Sequence, residues 1–293
     1  MINATRSGYS GLFRMEKIET VQAMRAAAAK LRGKRRVALL PTLGALHAGH
    51  ASLIQLARAR GDTVVVSVFV NPLQFGPSED FAKYPRALEA DAALCAQEGA
   101  AVLFAPSAEE MFPKGYSTYL HEDYVSKPLC GVSRPAFFRG TLTCWLKLLN
   151  VVQPAVLVMG EKDAQLVAVV RKTVQDLQLP VELLVGPTVR DAGGFALSAR
   201  NSYLSPAQRE EALAVYHALC KVKEMFDSGV KNADRLVAEA THILAAKRRL
   251  RVVYIAVVNR DTMEALREVV PGQSLLAVSF WMDEVRLTDN MPL

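Results

Sequence analysis

The 293-residue chain has no apolar stretch of the ~18 residues needed to cross a bilayer. Its strongest run, "TVVVSVFV" from Thr63 to Val70, is short and β-branched, and Asn71-Pro72 cuts it off, so it reads as a buried strand. A membrane is therefore not an expected partner. Cysteines are few: Cys95, Cys130, Cys144 and Cys220 have irregular spacings, and none forms C-x-x-C. That pattern argues against a disulfide framework and fits free thiols in a reducing cytoplasm. Aromatics amount to 7% and do not interleave with the basic clusters "KLRGKRR" and "KRRLR", so nucleic acid is not expected either, despite a net charge of +6. The clusters read as solvated helix ends, and the positive field favours small anions such as nucleotides and carboxylates. Residues 1–14 contain no acid and lack the apolar centre of a secretory signal, and they read as a loose extension.

What is present is a hydrophobic content of 51%, enough for one large core and room for a second. A helix over "EKIETVQAMRAAAAKLRGK" precedes the strand "RRVALL". Strands "TVVVSVFV", "AAVLFAP", "AVLVMG" and "VELLVG" then alternate with helices over "RALEADAALCAQEG", "RGTLTCWLKLLNVVQ" and "DAQLVAVVRKTVQDLQ". Alternation of this kind predicts an α/β domain over residues 1–187, a parallel sheet with helices on both faces. Ligands are then expected beyond the carboxyl ends of its strands. From Thr188 the pattern changes. A helix capped by Ser205, with Pro206 at its first position and Gln208 completing a capping box, leads into a second helix and two strands, "VVYIAVVN" and "SLLAVSFWM". Residues 188–293 read as a smaller α+β domain.

Four stretches carry chemistry. In "ALLPTLGALHAGHASLI", a strand and a turn with Pro41 and Gly44 are followed by His47, Gly49 and His50 at a helix mouth. Free N–H groups there attract anions, glycine permits close approach, and two imidazoles three residues apart share one face. Such donors suit the charge that grows on a transferring phosphoryl group. No third ligand suggests zinc. In "MGEKDAQL", Lys162 and Asp163 open another helix directly after a strand, and Lys162 shares a face with Leu166. In "GGFALSARNSYLS", Ser198 and Arg200 follow a Gly-Gly turn, as in a loop that closes over phosphate. Asn71 and Gln74, in "VFVNPLQFG", place amides at a strand's carboxyl end, where they suit a small polar acid or amine or serve as turn chemistry. His121, His217 and His242 have no comparable setting.

Together, "PTLGALHAGHASLI", "VVVSVFVNPLQFGPSEDFAKYPR", "SRPAFFRGTLT", "LLNVVQP", "GEKDAQL", "PTVRDAGGFALSARNSYLS" and "RLTDN" resemble the pantoate–β-alanine ligase family of the nucleotidyltransferase superfamily, from about Met15 to Asn290. The resemblance implies a Rossmann-like first domain, a C-terminal lid and a homodimer. It implies an ATP-dependent ligase that uses Mg²⁺ and passes through pantoyl adenylate, releasing pyrophosphate and then AMP. His47, His50 and Lys162 would be catalytic. Pro41, Thr42, Leu43, Gly49, Gly160, Lys162, Asp163, Val189, Leu197, Ser198 and Arg200 would bind ATP. Asn71, Gln74 and Gln165 would hold pantoate or β-alanine, and Asp91 would meet the metal.

The chain also departs from the family's usual residues. Leu166 stands where a second glutamine is usual after Gln165, Phe137 where a histidine is usual, and Ala199 where a serine is usual. Val253 and Ala256 replace an Asp and a Glu in a late strand. The changes at Leu166 and Phe137 make the acid pocket more apolar. They keep open an altered acid, a different nucleotidyltransfer reaction, or a nucleotide-binding paralogue with weak activity.

Overall fold

In a computed structural model the described residues are 15–77 and 79–293. The expected extension at 1–14 lies outside them. Six strands form one sheet: β1 (Glu16–Ile18), β2 (Val37–Thr42), β3 (Thr63–Val68), β4 (Val102–Phe104), β5 (Val156–Gly160) and β6 (Glu182–Gly186). All pair in parallel, in the spatial order β1-β4-β3-β2-β5-β6. Side chains alternate across each strand, so β2 supplies both faces. Val37 and Leu39 join a core with α1 (Val21–Arg32), α6 (Phe137–Val152) and α7 (Ala164–Asp176), while Ala38 and Leu40 pack on α2 (Ala48–Ala59) and α3 (Leu88–Gln97). Two short helices, α4 (Ala108–Met111) and α5 (Cys130–Ser133), lie in the connection before α6.

The order matters for function. Connections from β2 run outward through β3 and β4, whereas β5 and β6 lie on the other side of β2. Adjacent strands whose following connections diverge leave a crevice at their carboxyl ends, and here that switch point falls between β2 and β5. The H-x-G-H and G-E-K-D stretches follow those two strands.

The chain then builds a second lobe with its own core. Helices α8 (Pro206–Asp227) and α9 (Ala233–Ala245) pack on an antiparallel sheet of β7 (Leu250–Asn259), β8 (Ser274–Met282) and β9 (Val285–Pro292). Ser205, Pro206 and Gln208 cap α8 as the sequence predicts.

Two element expectations need correction. The stretch "EKI" is not helical. It pairs with Val102–Phe104 as an edge strand, and Thr20 caps the helix that follows. The short strand was hidden because its residues merge into a helix-like composition. β9, unrecognised as a strand, pairs along β8 from Val285 to Pro292, and its polar "TDN" masks the alternation. Among the described residues no helix is long and apolar enough to cross a membrane.

Candidate active site

One cavity of about 1280 Å³ opens at the switch point, between the large sheet and the second lobe. His47, His50 and Lys162 all line it. The histidine rings sit side by side, with centroids 4.2 Å apart. Local hydrogen bonds fix their tautomers. The Gly49 amide donates to His47 Nδ1 (3.1 Å), and the His47 amide donates to His50 Nδ1 (3.2 Å). An Nδ1 that accepts cannot carry the proton, so the network assigns it to Nε2 in both rings. Gly49 is required by this packing: a Cβ there would lie 2.9 Å from His47 Cε1.

Burial is the main reason that both rings resist protonation. The pKa of His47 falls to about 4, with Lys162 adding to the effect, and that of His50 falls to about 3, with His47 and Lys162 adding. Each ring is therefore a neutral Nε2–H donor near pH 7, able to bond a phosphate oxygen without competing for a proton. The same shifts predict a pH dependence of stability. The unfolded chain takes up these protons near the ordinary histidine value of 6.5, whereas the folded one does so only near 4 and 3, so stability falls as pH falls through that window. By about pH 5 the loss is about 2 kcal/mol per ring. Urea titrations of the wild type between neutral and mildly acid pH check this, and His50→Gln should flatten the slope.

The turn carrying the histidines is held from outside. Gly44 and Ala45 have positive φ, 86° and 51°, and the next amides converge on one anion. The buried Asp91 carboxylate accepts from Ala45 N–H (3.0 Å) and Leu46 N–H (2.7 Å). The residue expected to meet the metal thus has a structural role in the turn. Asp91 faces backbone amides, and among the described residues no three His, Cys, Asp or Glu side chains cluster as a ligand set.

The remaining candidates divide. Pro41, Thr42 and Leu43 line the cavity at the end of β2. Gly160 and Asp163 line it after β5, and Val189, Leu197 and Ser198 line it from the second-lobe side. Ser198 caps a 3-10 turn over Ala199–Tyr203. Arg200 also lines the cavity, but it is not presented as a free phosphate cation. Its Nε and Nη2 donate to the two Asp80 oxygens at 2.9 and 2.8 Å, and Tyr203 hydroxyl donates to Lys83 carbonyl. These contacts latch the loop onto the 75–86 segment.

Gln165, expected to hold pantoate or β-alanine, lines the cavity, but protein atoms engage its amide. It is 8% exposed; its Nε2 donates to the Val125 and Pro128 carbonyls, and its Oε1 accepts from Cys130 N–H. It folds the 125–130 loop instead. Asn71 is 1% exposed and similarly engaged. Its Nδ2 donates to Gly140 carbonyl and Gln74 Oε1, and its Oδ1 accepts from Leu73 N–H. Its turn-chemistry reading holds, and through it Asn71 orients Gln74, whose Nε2 has no protein acceptor among the described residues.

A contributor that the sequence reading missed is Asn290 on β9. Its Nδ2 donates to the carbonyls of Glu161 (3.0 Å) and Lys162 (2.8 Å), tying the second lobe to the lysine-bearing turn. Beside it, Arg190 and Asp289 form a two-pronged ion pair. The stretch "RLTDN" held the signal, but only the fold brings it across 128 residues.

A parallel sheet whose switch point gathers two histidines and a lysine under a small second lobe defines an α/β enzyme with an anion-binding cleft. More narrowly, the chain belongs to the pantoate–β-alanine ligase family, whose profile, described as Pantoate-beta-alanine ligase, matches residues 16–292. It is 44% identical to the pantothenate synthetase of Moorella thermoacetica over 95% of this chain and 99% of that one. The crystal structure of pantothenate synthetase from Thermus thermophilus matches with a TM-score of 0.90 and 41% identity, covering 94% of this chain and 99% of that one. The pantoate–β-alanine ligase of Francisella tularensis, complexed with β-γ ATP and β-alanine, matches with a TM-score of 0.78 and 30% identity, covering 95% and 97%.

Proposed function

We propose that this enzyme joins pantoate to β-alanine through a pantoyl-adenylate intermediate. A pantoate carboxylate oxygen attacks the α-phosphorus of ATP. The bond from that phosphorus to the bridging oxygen breaks, and pyrophosphate leaves with the electron pair. The β-alanine amine, neutral when it reacts, then attacks the acyl carbon. The bond from that carbon to the AMP oxygen breaks, AMP leaves, and the nitrogen releases a proton to water. No bond to the protein forms.

The observation that carries this reading is the convergence of His47, His50 and Lys162 on one cavity at the switch point. Two neutral Nε2–H donors and one ammonium suit the charge that builds on departing pyrophosphate, which they stabilise more than they stabilise ground-state ATP. Placing the acid beside the α-phosphorus supplies the rest of the rate. The Francisella relative's complex with ATP and β-alanine supports both substrates. Pro41, Gly49, Gly160, Val189 and Leu197 form the nucleotide side of this proposal, with Ser198 as a phosphate donor and Gln74 as the amide that meets the acid or the amine.

The resemblance also implies Mg²⁺. That ion would be held mainly by the triphosphate oxygens; Asp91 already accepts two backbone amides, and no step here runs through the ion. A cytoplasmic homodimer belongs to the same reading; the cytoplasmic part is supported by the four free thiols.

Labelled pyrophosphate should exchange into ATP when pantoate is present and β-alanine is absent, because the first half-reaction is reversible. Exchange that needs β-alanine would sink the adenylate intermediate.

A further inference from the structure

The part of the cavity away from the phosphate-binding groups is walled by one face of α6. Phe137, Thr141, Cys144, Trp145 and Leu148 recur there at spacings of three and four, and all line the cavity. Leu166, from the first turn of α7, lines the same cavity, while Lys162 reaches it from the 3-10 turn over Glu161–Asp163 that precedes the helix. Phe137, Trp145 and Leu166 are partly buried and pack against one hydrophobic core. The acid's carboxylate must reach the α-phosphorus near His47, His50 and Lys162, so its body points toward this wall.

Tyr254 and Arg286 line the cavity from the second lobe, but on the α6 wall and its adjoining turns few polar groups remain to recognise hydroxyls. Asn71 and Gln165 are fully engaged by protein atoms. Thr141 is buried and its hydroxyl donates to Phe137 carbonyl at 2.8 Å. Burial pushes the Cys144 thiol up to about 12, so it stays neutral and a weak donor. Arg134 is paired with Glu79 through two bonds and lies over the Phe137 ring, 3.9 Å from its centroid. Gln74 accepts from Asn71 Nδ2 at its Oε1 and offers its Nε2 to a ligand.

We infer that this pocket selects its acid by a branched apolar body and leaves one of pantoate's two hydroxyls unrecognised. Its substrate class is therefore branched aliphatic carboxylic acids carrying one hydroxyl or none, accepted at least as well as pantoate. The inference rests on the ligase reading and assigns Leu166 and Phe137 as specificity-determining residues. A hydroxyl set against Leu166 and Phe137 loses its water without gaining a partner, whereas a methyl group in its place keeps the apolar contact.

The experiment compares ATP-dependent pyrophosphate release for three acids: pantoate, the analogue whose terminal hydroxymethyl is a methyl, and the analogue lacking both hydroxyls. For the wild type, kcat/KM for the mono-hydroxyl analogue should equal or exceed that for pantoate. Leu166→Gln should move the ratio toward pantoate by about tenfold, mainly through KM. A wild-type preference for pantoate of tenfold or more overturns the inference and leaves the ligase reading standing. Release with none of the acids, from folded protein, overturns both. The wild-type ratio decides by itself if Leu166→Gln fails to fold.

Discussion

His47→Asn is expected to lower kcat/KM for pyrophosphate release by about 10²–10³-fold while changing stability by less than about 1 kcal/mol. The two numbers separate because His47 does two jobs. Its Nδ1 accepts the Gly49 amide at the start of α2, which is a capping bond. Its Nε2–H faces the cavity. Asparagine is a good N-cap and keeps an oxygen for the amide, but it cannot place a donor where Nε2 stood. His47→Ala loses both, so it should show the same catalytic defect plus about 1 kcal/mol of destabilisation. Pyrophosphate release and urea unfolding on the same preparations make the comparison. If His47→Asn keeps more than a tenth of wild-type kcat/KM, the ring does not stabilise the leaving group.

Asp91→Ala is expected to cost about 2 kcal/mol in urea unfolding, because it strands two part-buried N–H donors. Its carboxylate is the anion that neutralises the Ala45 and Leu46 amides, and it does so where Gly44 and Ala45 are both left-handed. The Gly44 conformation leaves no slack, since a Cβ there would sit 2.9 Å from Val68 Cγ1 and 3.0 Å from Asp91 Oδ2. Losing the carboxylate frees the turn that aims His47, so activity should also fall, by about tenfold or more. Asp91→Asn keeps one acceptor and should lie between wild type and alanine. Raising Mg²⁺ should restore neither stability nor activity to Asp91→Ala. Recovery on Mg²⁺ addition would return Asp91 to the metal.

The sequence carried the site's main parts. H-x-G-H after one strand and G-E-K-D after another were legible because free N–H groups at a helix mouth directly after a strand attract anions. Local chemistry also determined the α8 cap, since Ser205, Pro206 and Gln208 act within four residues. Less legible were the roles of polar side chains whose partners lie far along the chain. Asn71 looked like a ligand residue from its own stretch, and Gln165 and Asp91 from the family resemblance. Each is engaged by backbone atoms, some of them 35 to 69 positions away, that only folding brings near. Arg200 likewise meets Asp80 across 120 positions.

By itself, then, the order of residues determined the parallel α/β framework, the second α+β lobe and the trio of His47, His50 and Lys162. These depend on periodicity and on neighbours a few residues apart. Tertiary structure alone decided which polar groups remain free to meet a ligand. A buried donor or acceptor must be satisfied by whatever the fold places beside it, and what is left unsatisfied at the cavity wall is what a substrate can use.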